Sequence, residues 1–332
     1  MNKTNIILTI VVILGLMLSG CATTTKDTSK QNIKVGYLPL TDHFPLMVAD
    51  AKDMFTEANV EPVKFSGWAA LAEALASGQI DGAHMLNTLG IKMVSSGFKG
   101  KTVVLSHRGD IALVTTEDIT DVQQLKGKTI AVPSHFSSHY FMLHNYLTKN
   151  GFDVENDVTL LDVAPPDFVA TMASGSVDAF IGSEPFPTLA ESKDIGKTFK
   201  LWDEMEIEGL NGLDCVVVFK DELIQQNPEI VQDYTKTIIE AGQFIETNPK
   251  EATALASPYM LNLDPALIEK SVDEPKYRSS YDNLFPKADE YKRLQDYMLS
   301  IGSIEQGIDI DAFVDDSFAK KAYQELGLEI PE

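Results

Sequence analysis

The chain has 332 residues, of which 44% are hydrophobic, and it sets 49 Asp and Glu against 27 Lys and Arg for a net charge of -22. That length exceeds what one hydrophobic core usually serves, so two lobes are expected, and the apolar content excludes an intrinsically disordered protein. The acidic balance excludes nucleic acid and anionic lipid headgroups as partners. It also opposes long-range steering of a small anion, leaving recognition to groups within about 10 Å of a ligand.

Lys3 is the one charge ahead of an apolar run from Ile6 to Leu18, which Ser19, Gly20 and Cys21 close. A positive start, a short apolar segment and small residues before a cut describe a cleaved export signal, too short for a spanning helix. Leu18-Ser19-Gly20-Cys21 resembles the bacterial lipoprotein box, which implies a signal peptide over residues 1–20 and Cys21 as the lipid-bearing first residue. An ordinary secretory signal cut nearby, or an uncleaved anchor, is the alternative. All of these place the body outside the cytoplasm, and a lipid would hold it at the cell membrane. Residues 21–32 are almost without apolar side chains and read as a flexible tether. With Cys21 lipidated, Cys215 has no mate for a disulfide, and its run Cys215-Val216-Val217-Val218-Phe219 reads as the setting of a buried structural thiol.

Beyond the tether, β-branched runs alternate with amphipathic stretches. Strands are predicted at 33–37, 60–65, 82–85, 103–105 and 111–115, with helices at 44–55 and 68–77. The cycle restarts with strands at 129–132, 158–161 and 179–181 and helices at 138–150 and 167–173. Such alternation implies βαβ units and largely parallel sheets. Ala74 to Gly82 recurs as Thr171 to Ala179, an offset of 97 residues, with Gly78 and Gly175 each stopping a helix and Asp81 and Asp178 each leading into a strand. A left-handed residue ends a helix there. Two similar α/β lobes follow.

The last third reads as helices at 219–256, 265–272 and 288–301, with Pro228, Pro249, Pro258, Pro265 and Pro275 at their ends. A helical segment of that length is expected to return over the first lobe. The chain then passes between lobes twice, near Arg108 to Glu117 and near Gly209 to Phe219, on two crossover strands. The expected division is 33–112 plus 216–332 for lobe 1 and 113–215 for lobe 2, with a hinge beneath a cleft suited to ligand capture.

The stretch from Gly36 to Leu46, Gly67-Trp68-Ala69-Ala70-Leu71, Ser77 to Leu86, Leu125 to Pro133 and Gly182-Ser183-Glu184-Pro185 together resemble a known family. It is that of the ABC-importer solute-binding proteins for nitrate, bicarbonate, taurine, alkanesulfonates and pyrimidine thiamin precursors. The resemblance covers about residues 33–255, and Asp42, Trp68 and His84 lean toward its nitrate and bicarbonate branch. It implies a two-lobed α/β fold of the periplasmic-binding-protein type II. It also implies a monomeric receptor without cofactor or catalysis, working with an ABC permease and ATPase on a small-molecule ligand.

In such a fold, ligands meet loops at the carboxyl ends of strands and the starts of the following helices. Asp42 either caps the helix beginning near His43 or contacts ligand, and His43 shares that loop. Trp68 opens a helix whose apolar face continues through Leu71 and Leu75, so packing competes with recognition; the resemblance implies a pocket-lining Trp. Ser137 or Ser138 caps the next helix, and the resemblance matches His139 to an anion-contacting histidine. Glu184 serves as ligand contact, cap or salt-bridge partner beside Pro185. The candidate ligand residues are thus Asp42, His43, Trp68, His84, Asp110, Ser138, His139, Glu184 and Asp214.

Two positions depart from the nitrate branch. Arg108-Gly109-Asp110 stands where that branch has a neutral amide, and Gly212-Leu213-Asp214 where it has a lysine. An unpaired carboxylate about 4 Å from a bound anion costs about 4 kcal/mol at an effective dielectric of 20. The acidic groups therefore point away from nitrate, toward a neutral or cationic nitrogen compound stacked on Trp68, Tyr37 or Tyr140, unless Arg108 neutralises one carboxylate. Three rivals remain. One is an enzyme using His84 or His139, like the pyrimidine-synthesising branch of the fold, which export disfavours. The second is a metal-ion receptor built on His135, His139 and His144, and the third a sensory lipoprotein that transports nothing.

Overall fold

The computed structural model describes residues 29–261, 263–273 and 279–331; Cys21 and the signal segment lie outside them. Two five-stranded sheets share one plan. In the first, the order is β2 (Ala58–Lys64), β1 (Gln31–Tyr37), β3 (Gly82–Leu86), β11 (Cys215–Lys220) and β4 (Gly100–Leu105). In the second it is β8 (Thr159–Asp162), β7 (Thr129–Val132), β9 (Ala179–Gly182), β6 (Ala112–Thr115) and β10 (Lys197–Leu201). Within each, the three strands of the βαβ units are parallel and the other two join antiparallel. The fourth strand of each, β11 or β6, is the one that arrives from the other sheet. This is the two-lobed fold of the periplasmic binding proteins, type II.

The repeat seen in the sequence is a repeat in space. Val35 pairs with Gly82 in the first sheet and Ile130 with Ala179 in the second. Gly78 and Gly175 both take left-handed backbone, φ 77° and 73°, where a helix must stop and reverse into a strand. The next acidic residue then closes the unit in the same way twice. Asp81 accepts the Lys34 backbone N–H at 2.9 Å, and Asp178 accepts that of Thr129 at 2.9 Å. Short βα units of β-branched and small residues bury both sheet faces, which is why these strands read as continuous apolar runs.

Several predicted elements shift. The tether ends early, because Gln31 and Asn32 already pair with Ala58 and Asn59 in β1. The first helix stops at Ala51, followed by a turn with left-handed Asp53. The long 219–256 helix is three, Asp221–Gln226, Pro228–Thr247 and Pro249–Ala256, broken where proline lacks the N–H to continue. Phe219 belongs to β11 instead. Helices Asn87–Ser95, Phe186–Ser192 and Ser317–Leu326 and strand β10 lie beyond the elements expected from sequence. The late helices pack on the first lobe, where Tyr234, Ile238 and Tyr323 are buried.

The two passages between sheets are shorter than predicted, about 106–111 and 206–214, since Ala112–Thr115 and Cys215–Phe219 are sheet strands. They run side by side. Arg108 bridges Leu213, and the Gly109 N–H donates to the Gly212 carbonyl at 2.9 Å. A Cβ on Gly212 would stand 2.8 Å from the Gly109 nitrogen, so only glycine lets the strands approach this closely. β5 (Arg108–Gly109) also pairs with β12 (Ser279–Ser280), tying the first passage to the helical segment.

Candidate ligand-binding site

The loop after β1, the two interlobe passages and the start of helix Ser138–Lys149 meet at one point. Asp42, His107, Asp110, His139, Glu184 and Asp214 are all buried there. His107 is central: its Nε2 lies 3.4 Å from Asp110 Oδ1, 3.5 Å from Asp214 Oδ2 and 4.0 Å from Asp42 Oδ1. None of these contacts has hydrogen-bond geometry, and Asp42 Oδ1, Asp110 Oδ1 and both His107 nitrogens have no hydrogen-bond partner.

The other carboxylate oxygens are held from behind. Asp110 Oδ2 accepts from Ser279 Oγ at 2.5 Å, with Thr41 Oγ1 3.1 Å away. Asp214 Oδ1 accepts from Ser138 Oγ, and the Cys215 thiol lies 3.5 Å from Asp42 Oδ2. Burial alone would push His107 down, but Asp42, Asp110 and Asp214 together raise it to about 10. Burial, with Asp110 next, raises Asp42 well above the usual carboxylate range, whereas for Asp110 burial is opposed by the His107 charge together with side-chain hydrogen bonds, and the carboxyl is lowered. Burial pushes the Cys215 thiol up, so it is no nucleophile.

Each residue expected from sequence has a definite place. Asp42, Asp110, Ser138, His139, Glu184 and Asp214 converge. Asp42 makes no capping bond to the helix Phe44–Ala51, because its side chain turns toward Cys215. His139 holds Ser183 Oγ at 2.9 Å through Nε2 and leaves Nδ1, unpartnered, 4.0 Å from Asp214 Oδ1. Glu184 accepts the Thr188 N–H at 3.2 Å, and burial raises it well above its usual value.

His43, Trp68 and His84 instead form an edge-to-face aromatic cluster in the first lobe, with centroids 5.8 and 5.4 Å apart. Burial lowers His43 to about 3 and drives His84 down as well, so both rings are neutral. His84 supports the site indirectly: it links Tyr234 OH, at 2.8 Å, to Ser106, whose hydroxyl donates to the Asp42 carbonyl at 2.6 Å.

Arg108 does not neutralise a site carboxylate. Its guanidinium turns away to Glu290, at 3.0 Å, and to the carbonyls of Asn211, Asn283 and Phe285. Nor do His135, His139 and His144 assemble; His135 pairs with exposed Asp162 and His144 with Tyr297. The residue that sequence reasoning missed is His107. Its signal was its place three residues before Asp110 on an interlobe passage.

The lobes are latched across this site. Thr41 donates to the Glu184 carbonyl through N–H at 3.3 Å and Oγ1 at 2.9 Å, and Thr88 Oγ1 donates to the Phe136 carbonyl at 2.5 Å.

A family model described as the NMT1-like family matches residues 26–259. The chain belongs to that family. This member is 26% identical over 338 residues to a putative aliphatic sulfonates-binding protein of Bacillus subtilis, covering 98% of both chains. It is also 24% identical over 241 residues to a nitrate import ATP-binding protein of Synechocystis, covering 65% of this chain and 35% of that one. The chain thus spans about a third of the length of the first curated relatives it matches. Among solved structures, the zinc-bound ligand-binding component of an ABC-type import system from Staphylococcus aureus superposes with a TM-score of 0.79. It shares 24% identity, over 88% of this chain and 99% of that one, and shows the same fold.

Proposed function

We propose that this family member is the extracytoplasmic, lipid-anchored receptor of an ABC importer, closing its lobes on a small positively charged solute. The carrying observation is that Asp42, Asp110 and Asp214, from a first-lobe loop and both interlobe passages, converge in a buried site. No Lys or Arg among the described residues faces them. One His107 imidazolium faces three carboxylates, and an anion there would meet those it leaves unpaired at about 4 Å, each costing about 4 kcal/mol at an effective dielectric of 20. The relatives' nitrate and sulfonate ligands are therefore set aside for this chain. The permease and ATPase of an importer are the expected partners, and Cys21 the anchor.

Closure needs a ligand that favours the closed form, since equal affinity for both states shifts nothing. The latch through Thr41, Thr88 and Ser138 supplies contacts that exist only when the lobes meet. A thermal-shift screen of the full chain tests the reading: cations at about a hundred times Kd add about 2.7 kcal/mol of stability, while nitrate and alkanesulfonates add nothing. Stabilisation by nitrate would refute it. Cys21→Ser should free the protein from the membrane fraction, as fractionation with labelled fatty acid would read directly.

A further inference from the structure

The geometry points to one divalent transition-metal ion as the captured solute, bound by Asp42 Oδ1, His107 Nε2, Asp110 Oδ1 and Asp214 Oδ2, with His139 Nδ1 arriving from the second lobe. This inference rests on the receptor reading and names its substrate class.

Spacing decides between a metal and a molecular cation. Donors about 2.1 Å from a tetrahedral metal stand about 3.4 Å from one another. Donors about 2.8 Å from an ammonium nitrogen stand about 4.6 Å apart in the same arrangement. His107 Nε2 lies 3.4, 3.5 and 4.0 Å from its three carboxylate oxygens, which suits the metal and is too tight for the ammonium. Ligating atoms of three of these residues, Asp42, His107 and Asp214, fall within 4.8 Å of one another together with the Cys215 thiol, and Asp110 Oδ1 adjoins them through its 3.4 Å approach to His107 Nε2.

A protonated His107 standing alone as the internal cation does not satisfy the site. One N–H donates to one acceptor, three oxygens face this nitrogen, and none makes a hydrogen bond with it. An ion among the donors serves Asp42 Oδ1, Asp110 Oδ1, His107 Nε2 and His139 Nδ1 at once.

The surrounding shell fits as well. Ser279 holds Asp110 Oδ2, Ser138 holds Asp214 Oδ1, and Ser183 holds His139 Nε2, which fixes these three ligands from their far sides. Imidazole nitrogen with carboxylate, and a thiol close by, selects zinc, cobalt or nickel over magnesium or calcium. Because Asp42 and the two passages belong to one half of the set and His139 to the other, binding and lobe closure are one event.

The test uses the untagged full chain in detergent, stripped with chelator and titrated with cobalt and zinc, alongside tetramethylammonium and ethanolamine. One equivalent of cobalt, displaced by zinc, is expected. His107→Gln and Asp42→Asn should each weaken uptake by at least a hundredfold with unchanged circular dichroism, and Ser279→Ala by about tenfold. His135→Gln should leave uptake unchanged. Metal binding that survives His107→Gln, or is lost in His135→Gln, overturns the inference. If an amine raises the melting temperature and no metal does, the metal inference fails while the receptor reading stands. If neither class of cation stabilises the protein, both fail.

Discussion

Arg108 makes the strongest quantitative test of how the interlobe passages are held. Its side chain is 7% exposed and that of Glu290 4%, so the pair is out of water. The guanidinium gives Nε to Asn283, Nη1 to Asn211, and Nη2 to Phe285 and Glu290, at 2.9 to 3.1 Å. It therefore binds the first passage to the second and to the late helices together. Arg108→Ala leaves a buried carboxylate and three carbonyls without their donor. Breaking such a pair costs about 3–5 kcal/mol.

Glu290 keeps the Asn211 amide, at 3.0 Å, so the loss should sit at the lower end, near 3 kcal/mol. With a slope of about 2–3 kcal/mol per molar urea, the unfolding midpoint should fall by roughly 1–1.5 M. Glu290→Ala should cost a similar amount. The double variant should cost clearly less than the sum, because the second removal takes away the charge the first left unpaired. A single variant within about 1 kcal/mol of the parent, or strict additivity, would refute the clamp.

Three further outcomes follow from the same contacts. Thr41→Val removes a latch hydroxyl, worth about 1 kcal/mol, and should shift the protein toward an open form seen as a larger radius of gyration in scattering. Gly242→Ala places a Cβ 2.6 Å from the Tyr281 carbonyl oxygen, and should lower stability by about 1–3 kcal/mol in urea melts. Burial, then Asp50, raises the Tyr37 phenol to about 12 from 10.0. Above pH 10 the unfolded chain loses this proton before the folded one does, so its contribution to stability, intact below pH 10, should be lost as pH rises through 12. Tyr37→Phe should flatten that part of the stability-pH curve.

The pattern of the residues was enough for the local units. Strand 129–132 follows from Thr129-Ile130-Ala131-Val132, and the paired endings at Gly78 and Gly175 from a demand for left-handed backbone that few residues meet. These features depend on neighbours within about ten positions, and so does the acidic character at Asp42, Asp110 and Asp214. The helix Phe186–Ser192 and strand β10 were illegible because their burial comes from other elements, not from their own period.

What the amino-acid order determined alone is the duplicated βαβ plan and which side chains stand at strand ends. Tertiary structure decided the rest. That β11 enters the first sheet antiparallel between β3 and β4, that Arg108 faces Glu290 rather than a site carboxylate, and that His107 stands among three carboxylates depend on contacts between distant segments. The nearest of those carboxylates in sequence is three residues from His107 and the farthest more than a hundred, at Asp214. Backbone periodicity carries no information over such a distance; only packing two lobes against a shared pair of passages brings those atoms within a few ångströms.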